Sequence, residues 1–165
     1  MIPSQKVVLL WEDGMRIAHE FLEEIKASEC AFIAGSIRRR RPVVHDIDIV
    51  LRSDARIALT ISYLKEIKRT FTVLKWGPKL AAITYRGVPI DLYFSTPETF
   101  HTLLLIRTGS KENNIRLCSI AKSKGWKLHA SGDGLFNERG ERIAGDSERS
   151  IYDALGVPYQ EPSQR

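Results

Sequence analysis

The chain has 165 residues, of which 43% are hydrophobic and 27% are charged, and this composition is typical of a folded globular protein rather than a disordered one. No apolar run reaches the roughly 18 residues of a membrane span, and the N-terminus lacks a signal segment, so we expect an intracellular protein (cytoplasmic, nucleoid or viral) that is not secreted and contacts no membrane. The two cysteines lack zinc-ligand spacing. The net charge of +5 favours a polyanionic partner.

Hydrophobic periodicity predicts an α+β fold in two parts. Helical spacing predicts helices over 13–26 and 55–69, and short apolar runs bounded by turn residues predict strands over 31–34, 46–51, 71–75, 80–85 and 88–94. From residue 97 the pattern becomes mainly helical, with helices expected over 97–106, 110–124 and 148–155. We therefore expect a mixed β-sheet backed by two helices in residues 1–96 and a small, mainly helical lobe in residues 97–165.

Three aspartates interrupt the apolar pattern of two predicted strands. Asp46 and Asp48 are two residues apart and project from one face of a strand, and Asp91 interrupts the strand over 88–94. An Asp-x-Asp pair often marks only the solvent face of an antiparallel sheet. With a third carboxylate on a neighbouring strand, the pattern predicts a two-metal site for phosphoryl transfer, and the hard oxygen ligands suit two Mg²⁺ ions, for which Mn²⁺ can substitute.

A Gly-Ser turn precedes the first two aspartates. Gly35 allows a tight backbone turn after an apolar strand, and Ser36 with the following amides can donate hydrogen bonds to anionic oxygens at a helix start. Arg38 and Arg39 follow and add charge-assisted donors. The turn is therefore predicted to hold the phosphates of a nucleotide.

Basic side chains predominate in the second part of the chain. A solvated surface is the usual explanation of such a cluster, but next to a phosphoryl-transfer site it favours contacts with a nucleic-acid backbone. The residues predicted to bind DNA are Arg107, Lys111, Arg116, Lys122 and Lys124.

Two further segments resemble a known family. TGSKENNIRL at 108–117 and LGVPY at 155–159, in order after Gly35-Ser36 and the three aspartates, are similar to the family X DNA polymerases, the group that includes polymerase beta. The resemblance covers nearly the whole chain. It implies a nucleotidyltransferase palm over 1–96 and a thumb over 97–165.

The resemblance also implies roles for individual residues. Asp46 and Asp48 would bind both metals and the incoming triphosphate, and Asp91 would bind the catalytic metal and activate the primer 3′-hydroxyl. Ser36 and Arg39 would hold the triphosphate. The family's contacts with the sugar and base would fall to the nucleotide-binding positions Thr108, Gly109 and Asn114. The implied partners are primer-template or gapped DNA and nucleoside triphosphates.

The chain departs from the family pattern in several places. Ile106-Arg107 stands where the family has an aromatic pair that senses the sugar, so weak discrimination between ribo- and deoxynucleotides is expected. Cys118 replaces an arginine on the template side, which predicts low fidelity. His45 replaces a glycine and either contacts the triphosphate or packs beside it.

The family's lyase and helix-hairpin-helix domains are expected to be absent, because too few residues precede Gly35. The expected form is thus a monomeric palm and thumb, similar to the very small viral member, active in gap filling and DNA repair. The alternative is a transferase that works without a template or modifies RNA or a small molecule. A third hypothesis, a non-catalytic nucleic-acid-binding module, is disfavoured because such a module would not need all three aspartates.

Overall fold

Five strands form one mixed sheet in the computed structural model, which describes residues 7–52 and 71–165. In sheet order these are β2 (Ala31–Ile33), β4 (Ile47–Arg52), β7 (Val88–Ser95), β6 (Leu80–Tyr85) and β5 (Phe71–Trp76). Strands β4 and β7 are parallel, and their neighbours run antiparallel to them. A separate two-stranded ribbon joins β1 (Leu9–Leu10) to β3 (Val43–Val44).

The two faces of this sheet pack against different helices because side chains alternate along a strand. One face, with Ile49 and Leu92, packs in a core with Phe21 of helix α1 (Trp11–Glu24). The opposite face, with Val50 and Tyr93, packs against helix α3 (Phe100–Thr108). The polar positions of the two central strands therefore share a face with α3.

The C-terminal part is a second, smaller core. Helices α3, α4 (Lys111–Ser123) and α5 (Glu148–Leu155) surround a small antiparallel sheet of β8 (Lys127–His129), β9 (Gly134–Phe136) and β10 (Arg142–Ala144). The side chain of Ser110 accepts the Asn113 amide at the start of α4, and Ser147 forms a capping box with Ser150 at the start of α5. A short 3₁₀ helix (Pro162–Gln164) ends the chain.

The expected α+β architecture is confirmed. The predicted strands all occur, and the helices predicted over 13–26, 97–106, 110–124 and 148–155 differ from the observed ones by only a few residues at their ends. The helix predicted over 55–69 lies outside the described residues. The ribbon of β1 and β3 was not predicted, because two-residue strands show no periodicity. In the part of the chain that the structure describes, no helix is long and apolar enough to cross a membrane.

Candidate active site

Asp48 and Asp91 lie side by side on the parallel strands β4 and β7. Their Cα atoms are direct register partners, and both side chains are half-buried. Asp46 precedes β4 by one residue, on the same side as Asp48, and is exposed at the rim. The alternation of the two strands thus places the three carboxylates at one end of the face that α3 covers.

Gly35 brings the backbone of the Gly-Ser turn directly against Asp48. A Cβ atom built on Gly35 would lie 2.0 Å from Asp48 Oδ2, and the Gly35 φ angle is +58°, in the left-handed region. Glycine is needed on both counts, because any side chain would collide with the carboxylate. Helix α2 (Gly35–Arg38) is a single turn, so the predicted phosphate-binding helix start consists of first-turn amides such as that of Ser36.

Burial and like charges raise the pKa of Asp48 to about 6, against an ordinary value of 3.8. Burial makes the largest contribution, and the negative charges of Asp46 and Asp91 add to it. The pKa of Asp91 is also raised, first by burial and then by Asp46. The ionised carboxylates therefore repel one another in a poorly hydrated place, a situation that a cation would relieve.

Tyr93 and Arg107 oppose the rise in the pKa of Asp48 and Asp91. The Tyr93 hydroxyl donates a hydrogen bond to Asp48 Oδ1 at 3.2 Å, and burial beside the two carboxylates raises the pKa of Tyr93 itself. The guanidinium of Arg107 lies over the Tyr93 ring, 4.2 Å from its centroid, and its charge lowers the pKa of both Asp48 and Asp91. Sequence reasoning missed the role of Tyr93. Arg107 is exposed, and its predicted contact with DNA stays a prediction.

The predicted three-carboxylate metal site is only partly formed. Among residues 7–52 and 71–165, no group of three or more His, Cys, Asp or Glu side chains is arranged to hold a metal ion. Asp48 and Asp91 are register partners, whereas Asp46 is exposed. The chemistry of the donors nevertheless fits a hard divalent cation, because carboxylate oxygens are the ligands that Mg²⁺ prefers.

Arg39 connects the Gly-Ser turn to the second core. Its Nη1 donates to the Thr108 carbonyl, and a Cβ on Gly109 would come within 3.2 Å of the same nitrogen. Burial lowers the pKa of Arg39, and the charges of Asp48 and Asp46 act in the opposite direction. Arg39 Nε is buried and has no hydrogen-bond partner within the described residues. Arg39 therefore lies near the carboxylates with donor capacity to spare.

The remaining residues predicted to bind the nucleotide have protein partners. The Thr108 side chain is fully buried and accepts a hydrogen bond from Arg38 at 2.7 Å, so its hydroxyl supports the turn. Asn114 donates to the Ile106 carbonyl at 2.8 Å, whereas its Oδ1 is buried and unpaired among the described residues. His45 Nδ1 lies 2.7 Å from the Val7 carbonyl oxygen, a contact that fits the packing interpretation.

The residues predicted to bind DNA do not form one patch. Lys111 is exposed at the start of α4, next to the site, and Lys122 and Lys124 are exposed at its other end, about 17–20 Å away along the helix axis. Arg116 is half-buried and donates to Gln160 Oε1 at 2.9 Å. Arg116 therefore packs the C-terminal tail onto α4, whereas Arg107 and the three lysines are exposed.

A buried ion pair cluster joins the two cores. Glu148 accepts Arg38 on one carboxylate oxygen and Arg165 on the other, each at 2.6 Å, and the Arg165 side chain is 0% exposed. Arg41 adds a hydrogen bond of 2.6 Å to the Arg165 carbonyl oxygen. The cluster fixes the C-terminal residue and holds α5 against the turn that carries Arg39. Sequence spacing gave no signal for it, because its members are far apart along the chain.

Comparison with known families and proteins agrees with this geometry. Residues 103–165 match the family model described as DNA polymerase beta thumb. The chain is 31% identical over 160 residues to the "DNA polymerase/3′-5′ exonuclease PolX" of Bacillus subtilis (strain 168), a match that covers 92% of this chain. The chain spans 27% of the length of that curated relative.

Solved structures share the fold. The chain resembles Leishmania infantum polymerase beta in a ternary gap complex, with a TM-score of 0.81 and 20% identity over 98% of this chain and 72% of that one. The ternary P/T complex of the same protein gives a TM-score of 0.79 and 21% identity, covering 98% and 78% of the two chains. The likeness extends over both cores, so their arrangement here is that of a palm followed by a thumb.

Proposed function

Because the chain belongs to the family X DNA polymerases, we propose that it is a DNA-directed DNA polymerase that adds nucleotides to a primer 3′-hydroxyl. One observation carries the proposal: Asp48 and Asp91 are register partners on the face that the thumb helix α3 covers. Gly35 brings the backbone of the Gly-Ser turn against Asp48. Carboxylates, first-turn amides and an arginine together suit a triphosphate.

Asp46, Asp48 and Asp91 would hold two divalent ions, Mg²⁺ or Mn²⁺. Such ions neutralise the triphosphate and lower the pKa of the primer hydroxyl when they are bound. In the proposed reaction the primer 3′-oxygen loses its proton and bonds to the α-phosphorus, and the bond from that phosphorus to the bridging oxygen breaks to release pyrophosphate. Asp91, on the strand beside Asp48, orients the primer hydroxyl and accepts its proton.

The triphosphate would lie along the Gly35-Ser36 turn. The first-turn amides and the Ser36 hydroxyl would donate to its oxygens, and Arg39 would add a guanidinium. Arg39 is held in place by the Thr108 carbonyl, so its position depends on how the thumb packs. Asn114 lies one helical turn after Ser110, and its second amide hydrogen would be available to a base or sugar.

Gapped duplex in DNA repair is the proposed setting. The exposed lysines Lys111, Lys122 and Lys124 supply sequence-independent phosphate contacts along α4. A solved relative with the same fold is described as a ternary gap complex. We expect a monomer with modest affinity for DNA that weakens steeply with salt.

Selection of the sugar and base is proposed to be weak. Ile106 and Arg107 replace the aromatic pair at the end of α3, and the guanidinium of Arg107 lies against the Tyr93 ring. Cys118 offers no donor comparable to a guanidinium on the template side. The rate of ribonucleotide incorporation should lie within about tenfold to a hundredfold of the rate for deoxynucleotides, because a steric contact of this kind is worth about 1–3 kcal/mol.

The test is extension of a labelled primer on one-nucleotide-gapped, nicked and blunt DNA, with each deoxy- and ribonucleotide separately. Asp91→Asn should abolish addition, and Asp153→Asn, an exposed carboxylate in α5, serves as the control. Template-matched addition that depends on Asp91 supports the polymerase. Addition regardless of the template would instead support the transferase alternative, and retained activity in Asp91→Asn would remove Asp91 from the chemistry.

A further inference from the structure

A cleft of about 530 Å³ opens on the second core, at the end of α4 that lies away from the carboxylates. The end of α4, the turn that joins β9 to β10, and helix α5 surround it, and its lining residues are Trp126, Asn137, Glu138, Arg139, Ile143 and Ala154. We call it the Trp126 cleft. Its volume lies within the range of about 300–1,000 Å³ that is typical of small-molecule sites. None of these six residues belongs to the candidate active site.

Backbone hydrogen bonds at the end of α4 hold Trp126 in the cleft. Gly125 has a left-handed φ of +73°, and its amide donates to the Lys122 carbonyl. The Trp126 amide donates to the Ala121 carbonyl at 2.9 Å, which completes a Schellman motif. The indole is half-buried and packs at the edge of the second core. The position of the ring is therefore set by the helix end before any ligand binds.

One face of the indole is accessible from solvent. Lys124 is exposed, and its Nζ lies over the Trp126 ring, 5.4 Å from the centroid. A planar ligand can displace this flexible ammonium, because a cation–π contact at an exposed site is weak. Ile143, which also lines the cleft, is 38% exposed and adds apolar surface. The cleft therefore suits a flat aromatic group.

Positive charges flank the same cleft. Arg139 lines it, and Lys124 and Lys127 are the exposed neighbours of the Gly125-Trp126 segment. Glu138, which lies against Gly125, is the one carboxylate among the six lining residues, and it can accept hydrogen bonds from the amino groups of a base. An aromatic platform with cations beside it is the arrangement by which proteins bind single-stranded nucleic acid.

The length of α4 indicates which nucleotide reaches the cleft. The helix begins at Lys111, two residues after the Gly109 that lies against Arg39, and its 13 residues span about 20 Å. A stacked strand covers this distance in about six nucleotides, at about 3.4 Å each. Only an unpaired base has a free face for stacking, and in primer-template DNA the unpaired bases lie on the template beyond the primer end.

We propose that the Trp126 cleft binds an unpaired base of the template strand, about six nucleotides from the primer end. The base stacks on the indole of Trp126, and Lys124, Lys127 and Arg139 contact the adjacent phosphates. The inference rests on the proposed function, because it takes its DNA substrate from there. Binding in the cleft holds the single-stranded template on the thumb, so DNA with a long template overhang binds more tightly than DNA with a short one.

The experiment measures the affinity for fluorescent primer-template DNA by anisotropy, with Mg²⁺ and without nucleotides, so that the primer is not extended. Three DNAs share one duplex and differ in the template overhang. The first overhang has two nucleotides, the second has ten, and the third has ten of which all but the first two lack a base. Trp126→Leu removes the stacking surface and keeps an apolar side chain, and Trp126→Phe keeps a ring. Phe32→Leu is the matched control, because Phe32 is a 39% exposed aromatic residue on the edge strand β2.

The unmodified protein should bind the ten-nucleotide overhang about fivefold to tenfold more tightly than the two-nucleotide one, in the lower part of the range for stacking of one base. The overhang without bases should lose most of this gain. Trp126→Leu should bind all three DNAs within about twofold of one another, whereas Trp126→Phe and Phe32→Leu should retain the preference. The two-nucleotide overhang is the internal reference, because a misfolded variant would lose affinity for all three DNAs.

Two results would overturn the inference: a preference for the long overhang that persists in Trp126→Leu, or a preference that persists when the overhang lacks bases. The second comparison uses the unmodified protein, so it holds even if Trp126→Leu does not fold. The outcomes also separate the two proposals. If the unmodified protein binds none of the three DNAs, the proposed function fails and this inference fails with it. If it binds all three equally well, only this inference fails.

Discussion

Asp48→Asn should stabilise the metal-free protein, although it removes a residue at the centre of the site. The carboxylate is held among other negative charges, and its pKa rises from an ordinary 3.8 to about 6. That interval, at 1.36 kcal/mol for each pH unit, amounts to about 3 kcal/mol of lost stability at neutral pH. Asparagine cannot ionise, and it keeps an oxygen that can accept the Tyr93 hydroxyl.

The effect has a definite pH dependence. Between pH 3.8 and 6 the folded protein retains a proton on Asp48 that the unfolded chain has lost, so stability falls as the pH rises. Below this window the carboxyl is neutral in both states and the penalty vanishes, and above it the penalty is constant. The advantage of Asp48→Asn should thus grow from about 1 kcal/mol at pH 4.5 to about 3 kcal/mol at pH 7.5.

Urea unfolding in EDTA at these two pH values, followed by tryptophan fluorescence, gives the free energies of unfolding for the unmodified protein, Asp48→Asn and the control Asp153→Asn. Subtracting the control removes the general effect of one less negative charge. Addition of Mg²⁺ should stabilise the unmodified protein and reduce the difference in unfolding free energy between it and Asp48→Asn. If Asp48→Asn is less stable than the unmodified protein at pH 7.5, or if its advantage does not change with pH, the electrostatic account of the site is wrong.

Three further outcomes are expected. Gly35→Ala should reduce primer extension at least a hundredfold and cost about 1–3 kcal/mol of unfolding free energy, because the added Cβ would collide with Asp48. The control Gly87→Ala, at φ +80° with nothing within 4 Å, should cost about 1 kcal/mol and leave primer extension unchanged. Equal losses of activity in the two variants would contradict the close approach of Gly35 to Asp48. Glu148→Gln should cost about 3 kcal/mol in urea unfolding, since it leaves the buried Arg165 and the half-buried Arg38 without their carboxylate. Glu20→Gln also lies between two arginines, but at the surface, and should cost less than about 1 kcal/mol. Similar costs for the two variants would show that burial does not set the strength of these ion pairs. The rate of primer extension at limiting Mg²⁺ should fall as the pH drops below about 6, where Asp48 takes up a proton. Saturating Mg²⁺ should shift this fall in rate to lower pH. If the pH at which the rate falls does not depend on the Mg²⁺ concentration, Asp48 is not a metal ligand.

Local patterns in the sequence were sufficient for most of the described elements, and they suggested the class of site. Strands over 46–51 and 88–94 follow from apolar runs, and the polar interruptions at Asp48 and Asp91 mark the face on which their side chains lie. The glycine at 35 followed by serine predicts a turn that only glycine can make. These features depend on neighbours within a few residues, so they can be deduced from the chain alone.

Only the tertiary structure decided how distant segments meet. The pairing of Asp48 with Asp91 depends on strand register, which is set by the packing of the whole sheet. The stacking of Arg107 on Tyr93 depends on how α3 crosses that sheet. Helix packing sets the exposed side chain of Arg107 against Tyr93, and the spacing of charges along the chain carries no information about such a contact.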